Sequence, residues 1–169
     1  MSVILETERL LLRTWEPDDA SAAFAIWGDS EVMRYVGEPL ADLDAARRTL
    51  YRAVEAQQRH GVCLWAVVEK ASEEVVGACG FHLAGQGPEL ELAYHFKPLH
   101  WGRGFATEAT RACVLYAREK LGATRIIAGV MPENSASRRV LEKVGFRYGR
   151  LDRTGEIDEE WFSLTTKST

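Results

Sequence analysis

The segment Trp101-Gly102-Arg103-Gly104-Phe105-Ala106-Thr107-Glu108-Ala109 carries two glycines and leads directly into a strongly amphipathic helix pattern. Glycine has no Cβ, so the backbone at Gly102 and Gly104 is free to turn its amides inward and to approach a ligand closely. The first N–H groups of a helix have no internal partner, and the helix dipole places partial positive charge there. The segment therefore predicts a cradle of backbone amides for phosphate groups.

The spacing of apolar side chains indicates the helix after this turn. They recur at intervals of three and four residues at Ala109, Ala112, Cys113, Tyr116, Ala117 and Leu121, and Gly122 follows as a stop. Two other phosphate motifs do not fit. A P-loop needs a lysine near the turn, and a dinucleotide fingerprint needs glycine where Thr107 stands. A nucleotide-binding module is therefore disfavoured.

The turn resembles the acetyl-CoA pyrophosphate loop of the GNAT N-acetyltransferase superfamily, whose pattern is Gln/Arg-x-x-Gly-x-Gly/Ala, with Trp101 in place of the first Gln or Arg. The form Trp-Gly-x-Gly-Phe-Ala-Thr-Glu-Ala is similar to the RimJ/RimL-type branch, which includes ribosomal-protein N-terminal acetyltransferases. Four further segments carry the resemblance, at 8–13, 76–77, 91–94 and 134–146. It covers nearly the whole chain and implies a single GNAT N-acetyltransferase domain over residues 1–169.

Size, charge and cysteine usage limit the other function classes. The 169 residues suffice for one domain with a sizeable core, and no linker or repeat divides them. The net charge of -4 argues against general nucleic-acid binding, which needs many clustered cations. We expect a cytoplasmic protein without a membrane partner, because no apolar run is long enough to span a bilayer and no signal peptide is visible. The three cysteines are expected to be buried and reduced.

The order of strand and helix patterns predicts an α/β protein with an α+β mixed sheet and excludes a sandwich. Strands are expected at 8–14, as an edge strand, and at 63–69, 75–82, 89–96, 125–130, 146–152 and 161–166, with helices at 20–27, 42–59 and 136–144 and after the glycine turn. The resemblance, and not the periodicity, implies the GNAT acyl-CoA N-acyltransferase fold. Its central, mostly antiparallel sheet is splayed in a V with flanking helices, and the pantetheine arm enters between strands 89–96 and 125–130.

The resemblance also implies acetyl-CoA as acyl-donor cosubstrate and no metal. It places the cofactor against Tyr94, His95, Phe96, Trp101, Gly102, Arg103, Gly104, Phe105, Ala106, Thr107, Asn134, Ser137 and Arg138. Asn134 is assigned to the pantetheine arm and Ser137 to the thiol, although both are also good residues for starting a helix. The backbone amide of Tyr94 or Phe96 is expected to polarise the thioester carbonyl. If their helices converge, a local anion site is expected from Arg103, Arg138, Arg139 and, least favoured, Arg111.

The transfer also needs a base, because an amine attacks only when it is neutral. Glu91 is the candidate, since it lies on the strand before the loop and shares a face with Glu89 and His95 by two-residue alternation. The structural alternative is an outward charge on a half-exposed strand. His82 and His95, whose intrinsic pKa is near neutral, are the other candidate bases.

Together with the resemblance, these residues predict an acetyl-CoA-dependent N-acetyltransferase with Glu91 and Ser137 as catalytic residues. Transfer is expected to be direct, because Cys113 faces the core and does not suit a nucleophile. The expected acceptor is a protein N-terminal α-amine or, slightly behind it, a small-molecule amine, and the resemblance implies that it binds near Trp161 and the N-terminal helices. The main alternative is a catalytically silent acyl-CoA-binding domain, because every firm motif concerns the cofactor. A homodimer is left open.

Overall fold

The structure, a computed structural model, describes residues 1–85 and 87–166. Within these ranges the strands are β1 (Val3–Glu6), β2 (Leu10–Arg13), β3 (Leu64–Glu69), β4 (Glu74–Leu83), β5 (Glu89–Phe96), β6 (Arg125–Val130), β7 (Arg147–Asp152) and β8 (Glu159–Thr165). The α-helices are α1 (Ala20–Trp27), α2 (Ser30–Met33), α3 (Leu43–His60), α4 (Phe105–Glu119) and α5 (Ser135–Val144). In the described part of the chain, no helix has the length and apolarity needed to cross a membrane.

All eight strands form one mixed sheet in the order β1-β2-β3-β4-β5-β6-β8-β7. Every neighbouring pair is antiparallel except β5 and β6. Helices cover both faces of the sheet, and each face has its own apolar cluster. On one face α4 and α5 bury Phe105, Cys113 and Leu141, while on the other face α1 and α3 bury Ile26 and Leu50. The predicted fold class is confirmed.

The sheet opens between β5 and β6. Their register joins Glu89 with Arg125 and ends where Glu91 meets Ile127. Beyond this point β5 continues to pair with β4 as far as Phe96, whereas β6 continues to pair with β8 as far as Val130. The two parallel strands therefore separate at the place where the resemblance implied a V.

Most element bounds agree with the sequence pattern, and those of α1, β5 and β6 agree residue for residue. Two elements were not predicted, β1 and α2, because four residues are too few to show a periodicity. The prediction of an edge strand at 8–14 is wrong, since β2 lies between β1 and β3. The outer edge belongs to β1, which pairs with β2 across a short turn but is too short to show a strand pattern of its own.

Candidate active site

The glycine turn bends the chain into α4 as predicted. Gly102 and Gly104 have φ angles of 75° and 81°, in the left-handed region that strains other residues. Gly104 is the N-cap of α4, and the Glu108 N–H donates to the Gly104 carbonyl at 3.0 Å. The N–H groups of residues 105–107 precede this first helical bond and lie at the positive end of the α4 dipole. The geometry is that of an anion-binding helix start.

The turn between β1 and β2 holds the first turn of α4 in place. Glu108 accepts hydrogen bonds from the Thr7 hydroxyl at 2.6 Å and from the Arg9 backbone N–H at 2.9 Å, and it pairs with the Arg9 guanidinium at 2.7 Å. Arg9 also donates to the Arg103 carbonyl at 2.8 Å. Burial alone would raise the pKa of Glu108, but the bonds from Thr7 and Arg9 outweigh burial and lower it. Sequence reasoning missed this support, because its partners lie about a hundred residues apart.

The side chains of Trp101 and Arg103 are engaged within the protein. The Trp101 indole N–H donates to the Phe96 carbonyl at 2.7 Å, although half of this side chain is exposed. The Arg103 guanidinium pairs with Glu69 and lies over the Phe105 ring, 4.4 Å from its centroid. Both side chains therefore brace the turn and leave its backbone in the conformation that starts α4.

The four arginines of the predicted anion site have different surroundings. A groove of 600 Å³ runs from the turn along α4, and of these arginines only Arg111 lines it, together with Arg9 and Lys143. Arg103 is paired with Glu69, and Arg138 forms an ion pair with Glu160 of β8. The groove also contains the carboxylates of Glu8 and Glu108, so its three cations leave a net charge of +1. Arginine content alone did not predict these positions, because the guanidiniums of Arg103 and Arg138 follow carboxylates on strands elsewhere in the chain.

The register of β5 decides which of its backbone groups face the opening. The Ala84 N–H donates to the Glu89 carbonyl at the end of the β4–β5 pair, and the register is unbroken as far as Phe96. In an antiparallel pair such bonds alternate, so the odd-numbered residues of β5 bond to β4 and the even-numbered ones face β6. The N–H groups of Tyr94 and Phe96 therefore point into the opening, as the predicted polarising role requires.

The start of α5 closes one side of the opening. The Asn134 side chain caps this helix by accepting the Ser137 N–H at 3.2 Å, which is the structural role left open above. The Tyr94 hydroxyl lies 2.8 Å from Ser137 Oγ and 3.0 Å from the Ser137 carbonyl oxygen. Burial raises the pKa of Tyr94 far above its ordinary value, so its phenol stays neutral.

Glu91 lies on the other face of the sheet, half-buried and directly opposite His82 across the β4–β5 pair. Burial raises the pKa of Glu91, Glu159 of β8 raises it further, and His82 opposes both. Glu89, the next carboxylate on this face, is paired with Arg125 at 2.9 Å. The structure thus separates two similar residues, because Glu91 has the environment of a base and Glu89 that of a surface ion pair.

His95 is disfavoured as a base by its hydrogen bond to α1. The Trp27 indole N–H donates to His95 Nδ1 at 3.0 Å, which assigns the neutral tautomer with its proton on Nε2. Burial, and secondarily His82, lowers the pKa of His95 to about 4. The lone pair that would take a proton is therefore already occupied. His82 is exposed beside Glu91 and stays the alternative base.

The same face continues onto β6, β8 and β7 as a cavity of 390 Å³ lined by Glu89, Arg125, Ile127 and Trp161. The Trp161 ring covers Gly129, where an added Cβ would meet the ring at 3.0 Å.

On the opposite face, the sulfur atoms of Cys79 and Cys113 are 3.6 Å apart in the core, and burial raises the pKa of Cys113. Cys113 is therefore no nucleophile. Among the described residues, no cluster of His, Cys, Asp and Glu is arranged to hold a metal.

Comparison with known proteins connects this geometry to an activity. The family model for the acetyltransferase (GNAT) domain matches residues 9–147. The chain is 38% identical over 150 residues to the uncharacterized N-acetyltransferase YoaA of Bacillus subtilis, covering 87% of this chain and 84% of YoaA. It is 34% identical over 168 residues to the uncharacterized N-acetyltransferase p20 of Bacillus licheniformis, covering 95% of this chain and 94% of p20.

Solved structures share the fold over nearly the full length. An acetyltransferase of the GNAT family from Bacillus anthracis has a TM-score of 0.87 at 27% identity, covering 96% of this chain and 98% of that one. RimL, the ribosomal L7/L12 α-N-protein acetyltransferase solved with coenzyme A, has a TM-score of 0.87 at 14% identity, covering 97% of this chain and 98% of RimL. At that identity, RimL shows a common fold alone.

Proposed function

We propose that this chain, which belongs to the acetyltransferase (GNAT) family, is an acetyl-CoA-dependent N-acetyltransferase that transfers the acetyl group directly to a primary amine. The observation that carries the proposal is the start of α4 beside the opening between β5 and β6. Backbone N–H groups at the helix start suit a pyrophosphate, and the opening gives the pantetheine arm a path between the strands. We treat residues 1–169 as one catalytic domain.

Three groups of the chain carry the proposed chemistry. Glu91 takes a proton from the amine through water, and its raised pKa makes it a stronger base than an exposed carboxylate. The N–H of Tyr94 or Phe96 donates to the thioester carbonyl oxygen, where negative charge develops. The Ser137 hydroxyl donates a hydrogen bond to the departing sulfur. The sulfur leaves with the electron pair of the broken C–S bond and takes its proton from water.

The acceptor that we propose first is a protein N-terminal α-amine, the class that RimL's name gives for RimL. An α-amine with a pKa near 7.7 to 8.0 is roughly a tenth neutral at pH 7, so one carboxylate acting through water suffices. Glu91 and Glu159 lie on one face of the sheet, where their charge attracts a cationic amine. A small-molecule amine is the second candidate.

Transfer of label from acetyl-CoA tests the proposal. Purified protein is incubated with labelled acetyl-CoA and cell lysate, the products are separated by size, and the label is mapped by mass spectrometry. Label on protein N-termini supports the α-amine acceptor, whereas label in small molecules identifies the second class. Acetyl-CoA binding without any transfer would contradict the proposal and favour a silent acyl-CoA-binding domain.

A further inference from the structure

The phenol of Tyr94 connects the two sides of the opening. Tyr94 lies in the half of β5 that has no pairing to β6, and its hydroxyl contacts Ser137 in the first turn of α5. It touches both oxygens of this residue, Oγ at 2.8 Å and the carbonyl oxygen at 3.0 Å. A strand and a helix that share no backbone pairing are therefore joined at the residue assigned to the sulfur.

A single phenol proton allows two hydrogen-bond arrangements. In the first, Tyr94 donates a hydrogen bond to the Ser137 carbonyl and accepts one from the Ser137 hydroxyl, so that the serine hydrogen cannot be donated to a ligand. In the second, Tyr94 donates to Ser137 Oγ, and the serine proton is free to point into the opening. The two differ only by rotation of hydroxyl groups, because both acceptor oxygens already lie within hydrogen-bond distance.

We infer that Tyr94 is a positioning residue that donates its phenol hydrogen to Ser137 Oγ, so that the Ser137 hydroxyl donates to the sulfur of coenzyme A. This inference rests on the proposed function, which assigns Ser137 to the sulfur. A donor that itself accepts a hydrogen bond is strengthened, because the chain of bonds is cooperative. No proton leaves Tyr94, since burial raises its pKa and keeps the phenol a donor throughout.

The acidity of the bound thiol tests this arrangement without an acceptor. Free coenzyme A is bound to the full-length protein, and thiolate formation is followed by ultraviolet absorbance as the pH is raised. The proteins compared are the parent, Tyr94→Phe, Ser137→Ala and the double variant. Tyr116→Phe is the matched control, because Tyr116 is another partly buried tyrosine, packed edge-on against Trp65 at 5.7 Å.

Both single variants are expected to weaken the acidity of the bound thiol, because each removes a donor from the chain that stabilises the thiolate. We expect a loss of roughly 10- to 100-fold in the acid dissociation constant for Ser137→Ala and of roughly 3- to 10-fold for Tyr94→Phe. In the double variant, loss of Tyr94 should add nothing, since its effect passes through Ser137. The Tyr116→Phe protein should titrate like the parent.

The failure of each assignment has its own signature. An unchanged thiol in Ser137→Ala overturns the role of Ser137 in the proposed function. If the bound thiol is less acidic in Ser137→Ala but as acidic as in the parent in Tyr94→Phe, the inference about Tyr94 is overturned and the role of Ser137 stands. If Tyr94→Phe does not fold, 3-fluorotyrosine placed at position 94 keeps the contact with a more acidic donor. The bound thiol should then become more acidic, and an unchanged titration would refute the inference.

Discussion

The two faces of the sheet are built differently around the opening between β5 and β6. The α4 side consists of consecutive backbone amides at residues 105–107, set by two glycines with positive φ. The face with Glu91 consists of side chains from separate elements, with His82 on β4, Glu159 on β8 and Trp27 on α1. A backbone site needs only a local sequence, whereas a side-chain site needs the whole sheet. The first should therefore respond to backbone conformation and the second to charge.

The largest effect expected on cofactor binding follows from straining the α4 side. In Gly104→Val a β-branched residue is forced to φ 81°, and its Cβ would lie 3.4 Å from the Arg9 guanidinium. The strain is about 1–3 kcal/mol, and the amides lose their alignment. We expect acetyl-CoA binding, measured by calorimetry, to fall more than roughly tenfold. Gly122→Val is the control, because it has φ 64° beyond the end of α4. Equal losses of acetyl-CoA binding in both variants would show that the backbone at Gly104 has no special role in binding.

Removing the charge of Glu91 should leave acetyl-CoA binding intact and lower kcat by roughly 100-fold. The folded state raises the pKa of Glu91, so at pH values above that pKa the buried negative charge lowers the stability of the fold. Glu91→Gln should therefore have a higher melting temperature than the parent at neutral pH. As the pH is lowered, kcat/KM of the parent should fall at a higher pH than it would if the base were an exposed glutamate. Glu89→Gln, on the same face, is the control. Equal losses of kcat in Glu91→Gln and Glu89→Gln would show that Glu91 is not the base.

Support of the α4 side by the β1–β2 turn predicts an intermediate effect. Glu108→Gln weakens the bonds to Thr7 and Arg9, and we expect it to cost about 1–3 kcal/mol in unfolding free energy. Since the folded pKa of Glu108 is lowered, the stability it contributes is present above its ordinary pKa of 4.5 and is lost as the pH falls further. The difference in denaturation midpoint from the parent should therefore narrow in acid. Glu119→Gln, at the far end of α4, should show no such difference.

The smallest effect is expected at Trp27. The hydrogen bond that the Trp27 indole donates to His95 Nδ1 favours the neutral imidazole. Trp27→Phe removes this bond, so the pKa of His95 should rise from about 4. Activity should change by no more than roughly threefold, because the proposed base is Glu91 and not His95. Histidine titration by nuclear magnetic resonance measures the pKa, and Trp65→Phe, whose indole donates to Gln57, is the control. A large loss of activity with an unchanged pKa would show that Trp27 acts on the acceptor directly.

Particular residues show how far the sequence predicts this site. The sequence predicts the turn at Gly102 and Gly104, because glycines before an amphipathic helix act locally, and the structure adds that both have a positive φ. Asn134 was predicted with two roles, and the structure displays its capping one. Arg103 and Arg138 are predicted to bind the cofactor, and the structure adds that their guanidiniums pair with Glu69 and Glu160. A long flexible side chain takes its direction from neighbours that are distant in the chain, so its residue type does not fix its contacts.

The sequence by itself determined most of the elements, the mixed sheet class and the glycine turn before α4, because apolar periodicity and glycine act over a few residues. Only the tertiary structure decided which carboxylate on β5 is paired with an arginine, that Trp27 occupies the lone pair of His95, and that Tyr94 reaches Ser137 across the opening. These facts depend on strand register and on contacts between elements far apart in the chain. Burial and hydrogen bonding set the pKa of a group, and both arise only when the sheet and its helices come together.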